Sequence, residues 1–344
     1  MPRTQRGRRA VMPEPHRVII ETYDIAATGP GQLLIETEAS AISAGTELAV
    51  YTGVHQWLND PTRTWPRFPF TPGYSAVGRV LEVGDGVAGY AVGDRVLWEG
   101  RHESHAIVDV DGGRALVWKI GEALPAEVAA FAILARFPFT ALVQSDRIIG
   151  QSVAVMGLGL IGQIALRLFA AAAATPLIGI DTVAARRSTA ERTYGVATID
   201  PTVGDLREQL RAVNGGALPD IVVDATGAPN AVKAAMHAVS DGGRVVMVGS
   251  PRGIAGDVDF YWDLHGRSIT LIGAHGSAIG QTAREHFPFV RDRAIRTLVH
   301  LLESGRVELR DLITHFVPGD AAPAMYEGLL NRRDDYIGVA LHWD

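Results

Sequence analysis

Three glycines in the run Val153-Ala154-Val155-Met156-Gly157-Leu158-Gly159-Leu160-Ile161-Gly162 have the spacing of a phosphate-binding turn. Gly157 permits the tight turn, Gly159 lets the backbone approach a pyrophosphate, and Gly162 allows close helix–strand packing. A helix opening at Leu160 and Ile161 offers free N–H groups and a positive dipole end to phosphates. Asp181 follows about 20 residues later, at the end of the apolar run Ile178-Gly179-Ile180, where a carboxylate accepts hydrogen bonds from ribose hydroxyls. A carboxylate there repels a 2′-phosphate, so the expected cofactor is NAD rather than NADP. Arg186 and Arg187 come next; they could contact a 2′-phosphate, but read more readily as a solvated helix face. The segments Asp224-Ala225-Thr226-Gly227 and Val248-Gly249-Ser250-Pro251 also end strands, which places Thr226 and Gly249 at the same crevice.

The elements that must carry this turn alternate. Apolar runs at 152–156, 177–180, 197–199, 221–223, 244–248 and 269–272 read as strands. Helices are expected up to about Ala173, over Ala184–Tyr194 and over Ala231–Val239. Continuous apolar strands alternating with helices predict a parallel sheet covered on both faces. Before this region, from Val18 to Val110, short strands broken by Gly and Pro predict a small β-barrel. Pro125 opens an Ala-rich helix through Leu134, and another helix is expected from near Phe139. After Gly276 a long helix is expected over Arg284–Ser304, then a strand over Tyr336–Leu341 that returns to the first domain.

Bulk properties narrow the function. The 344 residues suit two domains, and 47% hydrophobic with 20% charged residues is an ordinary globular mixture. A net charge of −6 argues against nucleic acid as a partner. The basic start MPRTQRGRRA lacks an apolar stretch behind it, so a disordered extension and a cytoplasmic location are expected rather than a signal peptide. No run is long enough to span a membrane. With no cysteine in the chain, disulfides, thiolate chemistry and thiolate-held zinc are excluded. His102 and His105 have pair spacing but no third ligand nearby, and read as turn and strand surface.

The chain resembles the medium-chain dehydrogenase/reductase family, the zinc-type alcohol dehydrogenases, over nearly its whole length. The residues that carry the resemblance are Ser43-Ala44-Gly45-Thr46-Glu47, Pro72-Gly73-Tyr74-Ser75-Ala76-Val77-Gly78-Arg79-Val80, Val92-Gly93-Asp94-Arg95-Val96, the Gly157 turn and Leu312-Ile313-Thr314-His315. It implies an α/β two-domain protein: a GroES-like β-barrel catalytic domain over 1–142 and 276–344, and a Rossmann doubly wound parallel sheet over 143–275. It also implies hydride transfer between nicotinamide and a small-molecule substrate in an interdomain cleft, and a homodimer or homotetramer. Within the family, the first two motifs are similar to those of the hydroxyethyl-bacteriochlorophyllide dehydrogenases.

The departures bear on the chemistry. Where zinc-dependent members carry their three ligands, this chain has Ala44, Tyr74 and Arg136. Ala and Arg cannot ligate zinc and neutral Tyr is a poor ligand, so no metal is expected. Hydrogen-bond donors must then serve the substrate oxygen. Thr46 matches the family's proton-relaying hydroxyl, and Tyr74 replaces a ligand and could supply a donor or a proton. Arg136 could place a guanidinium near the vanished metal, or simply pair with Glu47 or another carboxylate. His55 follows the first motif, close to Trp57, Trp65, Phe68 and Phe70, aromatics that suit a flat or bulky apolar substrate. His275 lies where the resemblance puts nicotinamide, and His315 reads as packing. The expected function is zinc-independent, NAD(H)-dependent interconversion of an alcohol and a carbonyl. An NAD(P)H-dependent enoyl or quinone reductase and a non-catalytic dinucleotide-binding protein are the alternatives.

Overall fold

A computed structural model describes residues 6–110, 116–193, 195–280 and 289–343. The chain forms two compact units: one holds 1–134, 295–305 and 309–344, the other 135–294 and 306–308.

The first unit opens with strands β1 (Arg6–Val11) and β2 (Ile19–Asp24), then β3 (Gln32–Ala41), helix α1 (Ala44–Tyr51), β4 (Ala76–Val83), β5 (Arg95–Trp98), β6 (His105–Asp109), β7 (Val117–Lys119) and α2 (Ala126–Ala129). The expected disordered extension is corrected from Arg6 onward. Residues 6–11 pair antiparallel with β2, and Arg9 with Glu21 and Arg8 with Asp320 at 2.6 Å place the basic side chains on carboxylates. Residues 1–5 lie outside the described residues. The Ala-rich helix is also corrected. It ends at Ala129, and turns lead to the next helix.

The second unit runs α3 (Arg136–Gln144), β8 (Val153–Met156), α4 (Leu160–Ala171), β9 (Leu177–Ile180), α5 (Ala184–Glu191), β10 (Val196–Ile199), α6 (Leu206–Val213), β11 (Ile221–Asp224), α7 (Pro229–Ala238), β12 (Arg244–Met247) and β13 (Thr270–Gly273). Its six strands lie parallel in the order β10-β9-β8-β11-β12-β13, a doubly wound sheet whose order reverses between β8 and β11. The period of two sorts β8 cleanly. Val153 and Val155 pack with Leu166 and Phe169 of α4, while Ala154 and Met156 pack with Leu210 of α6 and Met236 of α7. Both faces are therefore dry, as the continuous apolar runs require.

Helix α8 (Arg291–Glu303) carries the chain back toward the first unit, and β14 (Ile313–Pro318), α9 (Ala322–Asn331) and β15 (Gly338–His342) follow. The expected start of α8 at 284–288, and Tyr194, the expected end of α5, lie outside the described residues. The first unit's larger sheet has the order β14-β15-β3-β4-β5-β7, with β6 also on β3. β15 is antiparallel to β3 and parallel to β14, so the segment after α9 joins the sheet of the first unit.

Candidate active site

In the second unit the glycine turn has the shape its sequence requires. Gly157 has φ +87°, a region L side chains rarely enter. A Cβ on Gly162 would lie 1.8 Å from the Gly157 carbonyl oxygen, whereas a Cβ on Gly159 would enter open space. That space is the cradle a pyrophosphate needs. The first-turn N–H groups of α4 (Leu160, Ile161 and Gly162) lack intrahelical acceptors and meet no capping side chain. The Leu158 N–H is committed differently: it donates to Asp181 Oδ2 at 2.7 Å, and the Leu158 side chain is core. Asp181 Oδ1 accepts from the Val183 N–H at 2.8 Å. Each carboxylate oxygen keeps lone pairs for ribose hydroxyls. Arg187 is held by the Asp181 carbonyl and by Asp200, 2.7 and 3.0 Å away, and Arg186 lies 3.8 Å from Asp181. These residues fit a dinucleotide.

Thr226 and Gly249 shape the crevice rather than reach into it by side chain. The Thr226 hydroxyl donates to Asp224 Oδ1 at 2.6 Å and accepts from the Ala228 N–H. A Cβ on Gly249 would lie 2.3 Å from the Gly227 nitrogen, so the two strand-end loops touch backbone to backbone. Asp224 is fully buried, and burial raises its carboxyl above the usual range. Its Oδ2 has no hydrogen-bond partner among the described residues. We expect Gly162→Ala to remove NADH binding or folding of this unit, because two backbone segments must part to admit one methyl. An NADH titration alongside thermal unfolding checks this, and a wild-type-like Kd would contradict it.

The first unit holds Thr46, Tyr74 and His55. Helix α1, not expected from the sequence, carries Ala44 to Tyr51, with Thr46 half-buried in its first turn. Tyr74 stands on a loop pinned on both sides. A Cβ on Gly73 would strike the His102 nitrogen at 2.6 Å, and Ser75, fully buried, donates to the Ala130 carbonyl. The Tyr74 hydroxyl donates to Ser43 Oγ. Ser43 is the N-cap residue of α1, yet its side chain makes no capping bond.

Beneath Ser43 lies a buried polar network that corrects one expectation. Glu47 is 1% exposed. Its Oε1 accepts from the Ser43 N–H at 2.9 Å, and its Oε2 accepts from Tyr326 and lies 3.0 Å from His102 Nε2. His102 is not surface but fully buried, with Nδ1 2.8 Å from Ser40 Oγ, which also accepts from the Trp343 indole at 3.1 Å. Every donor finds an acceptor if His102 carries its proton on Nε2 and Ser40 donates to Nδ1. Burial and the Glu47 charge push the Tyr326 phenol well up. Spacing could not reveal partners 55 and 279 residues apart.

His55 is buried among rings: Trp65 and Trp57 meet it edge-on at 5.2 and 5.6 Å, and its Nδ1 accepts from the Trp57 N–H. Arg67 fixes this loop by donating to the carbonyls of Trp57, Leu58, Asp60, Arg63 and Pro66. Arg136 starts α3 in the second unit, buried, its guanidinium 5.7 Å from the Phe137 ring centre. His275 is exposed and caps a short turn through Ser277, while His315 stacks on Tyr336 at 4.0 Å.

The fold and the glycine turn define a nucleotide-dependent two-domain dehydrogenase architecture. Comparison with known proteins agrees. Residues 29–145 match the family described as alcohol dehydrogenase GroES-like domain, and 161–292 match that described as zinc-binding dehydrogenase. The chain belongs to the medium-chain, zinc-type alcohol dehydrogenase family of oxidoreductases. It is 28% identical over 323 residues to L-threonine 3-dehydrogenase of Pyrococcus furiosus, covering 86% of this chain and 87% of that one. It is also 28% identical to the erythritol/L-threitol dehydrogenase of Mycolicibacterium smegmatis, over 88% and 89% of the two chains. The 2R,3R-butanediol dehydrogenase structure from Bacillus subtilis shares its fold, with TM-score 0.81, 21% identity and coverage of 98% and 99%. The residues at the family's zinc-ligand positions do not fit the ion. Ala44 has no donor atom, Tyr74 is engaged with Ser43, and Arg136 is cationic. Among the described residues no group of three or more His, Cys, Asp or Glu could hold a metal.

Proposed function

We propose that the protein is a zinc-independent, NAD(H)-dependent dehydrogenase that moves a hydride between nicotinamide and a small alcohol or its carbonyl. The observation that carries the cofactor is Asp181, set against the glycine turn with lone pairs left for ribose hydroxyls and with Arg187 already held by Asp200. Tyr74 and Thr46 are the groups that meet the substrate oxygen, with Arg136 lending charge and His55 setting the shape of the substrate wall. A homodimer or homotetramer is supported by β13, an open sheet edge with Leu271 38% exposed, and by the exposed Phe260, Tyr261 and Trp262. No helix among the described residues is long and apolar enough to cross a membrane.

The test is hydride exchange followed by NADH absorbance, with L-threonine, erythritol, butane-2,3-diol and their carbonyl counterparts, on protein assayed for metal. We expect turnover with at least one alcohol, no stoichiometric zinc, and no loss of stability on chelation. Reduction confined to enones or quinones would replace this reading with an enoyl or quinone reductase. NADH binding without any exchange would leave a non-catalytic dinucleotide-binding protein. One zinc per chain would end the metal-free proposal.

A further inference from the structure

Ser43 occupies a helix N-cap without capping. A serine there ordinarily accepts a hydrogen bond from the second or third backbone N–H of its helix. In this chain the side chain of Ser43 makes no such bond, while its own N–H donates to Glu47 Oε1 at 2.9 Å. The hydroxyl accepts from Tyr74 instead of from the helix. Ser43 itself is 8% exposed, and the carboxylate that holds its backbone is anchored by Tyr326 and His102, from two other parts of the unit. Such an anchor does not yield when the phenol changes its hydrogen bonding.

We propose that Ser43 is a positioning residue for Tyr74: it fixes the phenol and passes it a replacement proton, and the buried Glu47–His102 pair holds Ser43 in place. The inference rests on the dehydrogenase reading above for its catalytic meaning, and on the geometry of the first unit alone for the coupling itself. Two hydroxyls in contact can carry their bond in either direction, because each is both donor and acceptor. A bound NADH would supply hydride to the carbonyl carbon, and Tyr74 would give its O–H proton to the carbonyl oxygen. The Ser43 O–H then donates to the phenolate, and water resupplies the proton, so that carbonyl, NADH and one proton give alcohol and NAD. In the reverse direction Tyr74 accepts the alcohol proton and donates toward Ser43, which is the arrangement observed.

The coupling can be read without any substrate. The phenolate absorbance of Tyr74, obtained as the difference between the wild type and Tyr74→Phe, gives its titration midpoint. Other titratable groups near Ser43 are Glu47, His102 and Tyr326, and Tyr326 is held far up by burial and by Glu47. Ser43→Ala removes the hydroxyl that stabilises the phenolate, so the midpoint should rise by about one to two units. Ser43→Thr, which keeps a hydroxyl, should restore it, and Ser43→Cys should resemble Ala if the alanine variant folds poorly. An unshifted midpoint in both Ala and Cys variants overturns the proposal. On a turned-over carbonyl, Ser43→Ala should lower kcat about 10–10²-fold, with NADH Kd unchanged and the alkaline limb of the kcat profile moved in step with the phenol. A lowered kcat with an unmoved pH profile also overturns it, because that outcome describes a structural serine. If the wild type exchanges hydride with nothing, the dehydrogenase reading fails, while the phenol titration still decides the coupling.

Discussion

Tyr74→Phe should lower kcat for carbonyl reduction by about 10²–10³-fold while the NADH Kd stays within error of wild type. Hydride arriving at a carbonyl carbon leaves negative charge on oxygen, and in the zinc-independent reaction proposed above that charge is met by hydrogen-bond donors. Loss of one such donor typically costs a rate factor of that size. Phenylalanine keeps the ring volume and removes only the hydroxyl that bonds Ser43. The pinning of the loop by Gly73 and Ser75 does not depend on that oxygen, so folding should survive. The glycine turn and Asp181 lie in the other unit, which is why the dinucleotide should not sense the change. Thr46→Ala should also reduce kcat. Stopped-flow single turnovers separate the chemical step from binding. Unchanged turnover in both variants would move the chemistry to His55 or to a double-bond reduction.

The second large effect concerns the choice of dinucleotide. NADH should bind about 10–100-fold more tightly than NADPH, because a 2′-phosphate beside a partly buried carboxylate costs about 1–3 kcal/mol. Asp181 is 8% exposed, so water screens that repulsion poorly. Asp181→Ser removes the charge but leaves an acceptor for a backbone N–H, and should narrow the gap to a few-fold. Fluorescence titration of both nucleotides against both proteins measures it. Equal affinity in the wild type would mean that Arg186, 3.8 Å from Asp181, turns to receive the phosphate.

The dinucleotide unit was largely legible because its signals are local. The runs at 153–156, 177–180 and 221–223 are apolar on both faces, the pattern of strands in a sheet covered twice. Each glycine of the turn has a separate steric reason to be glycine. Helix α6 went unread although Asp205 accepts from the Glu208 N–H, so an Asp followed three residues later by Glu could have announced it. Helix α1 was hidden for a different reason. Gly45 and Thr46 are poor helix formers, and the helix exists because Ala49, Val50 and Tyr51 are buried, which is a tertiary cause. The basic start was misread because its carboxylate partners, Glu21 and Asp320, are visible only once the strands are placed. For Ser43 the sequence shows only a serine before a helix. Its commitment to Tyr74 appears only once the Tyr74 loop and α1 are placed against each other.

The place of β15 also sets an order of assembly during synthesis. β15 sits between β3 and β14, so β3, complete at Ala41, waits for a partner that begins at Gly338. Every strand of the dinucleotide unit lies within one unbroken stretch of chain, and that unit can close on the ribosome while its neighbour still has a gap. Until Tyr326 and Trp343 arrive, Glu47 and Ser40 lack those partners, leaving a carboxylate and an imidazole in a half-built interior. The nascent first unit is therefore the part exposed to chaperones and proteases. A chain interrupted before Tyr326 would hold a closed dinucleotide unit beside a first unit whose helix α1 still lacks its anchor.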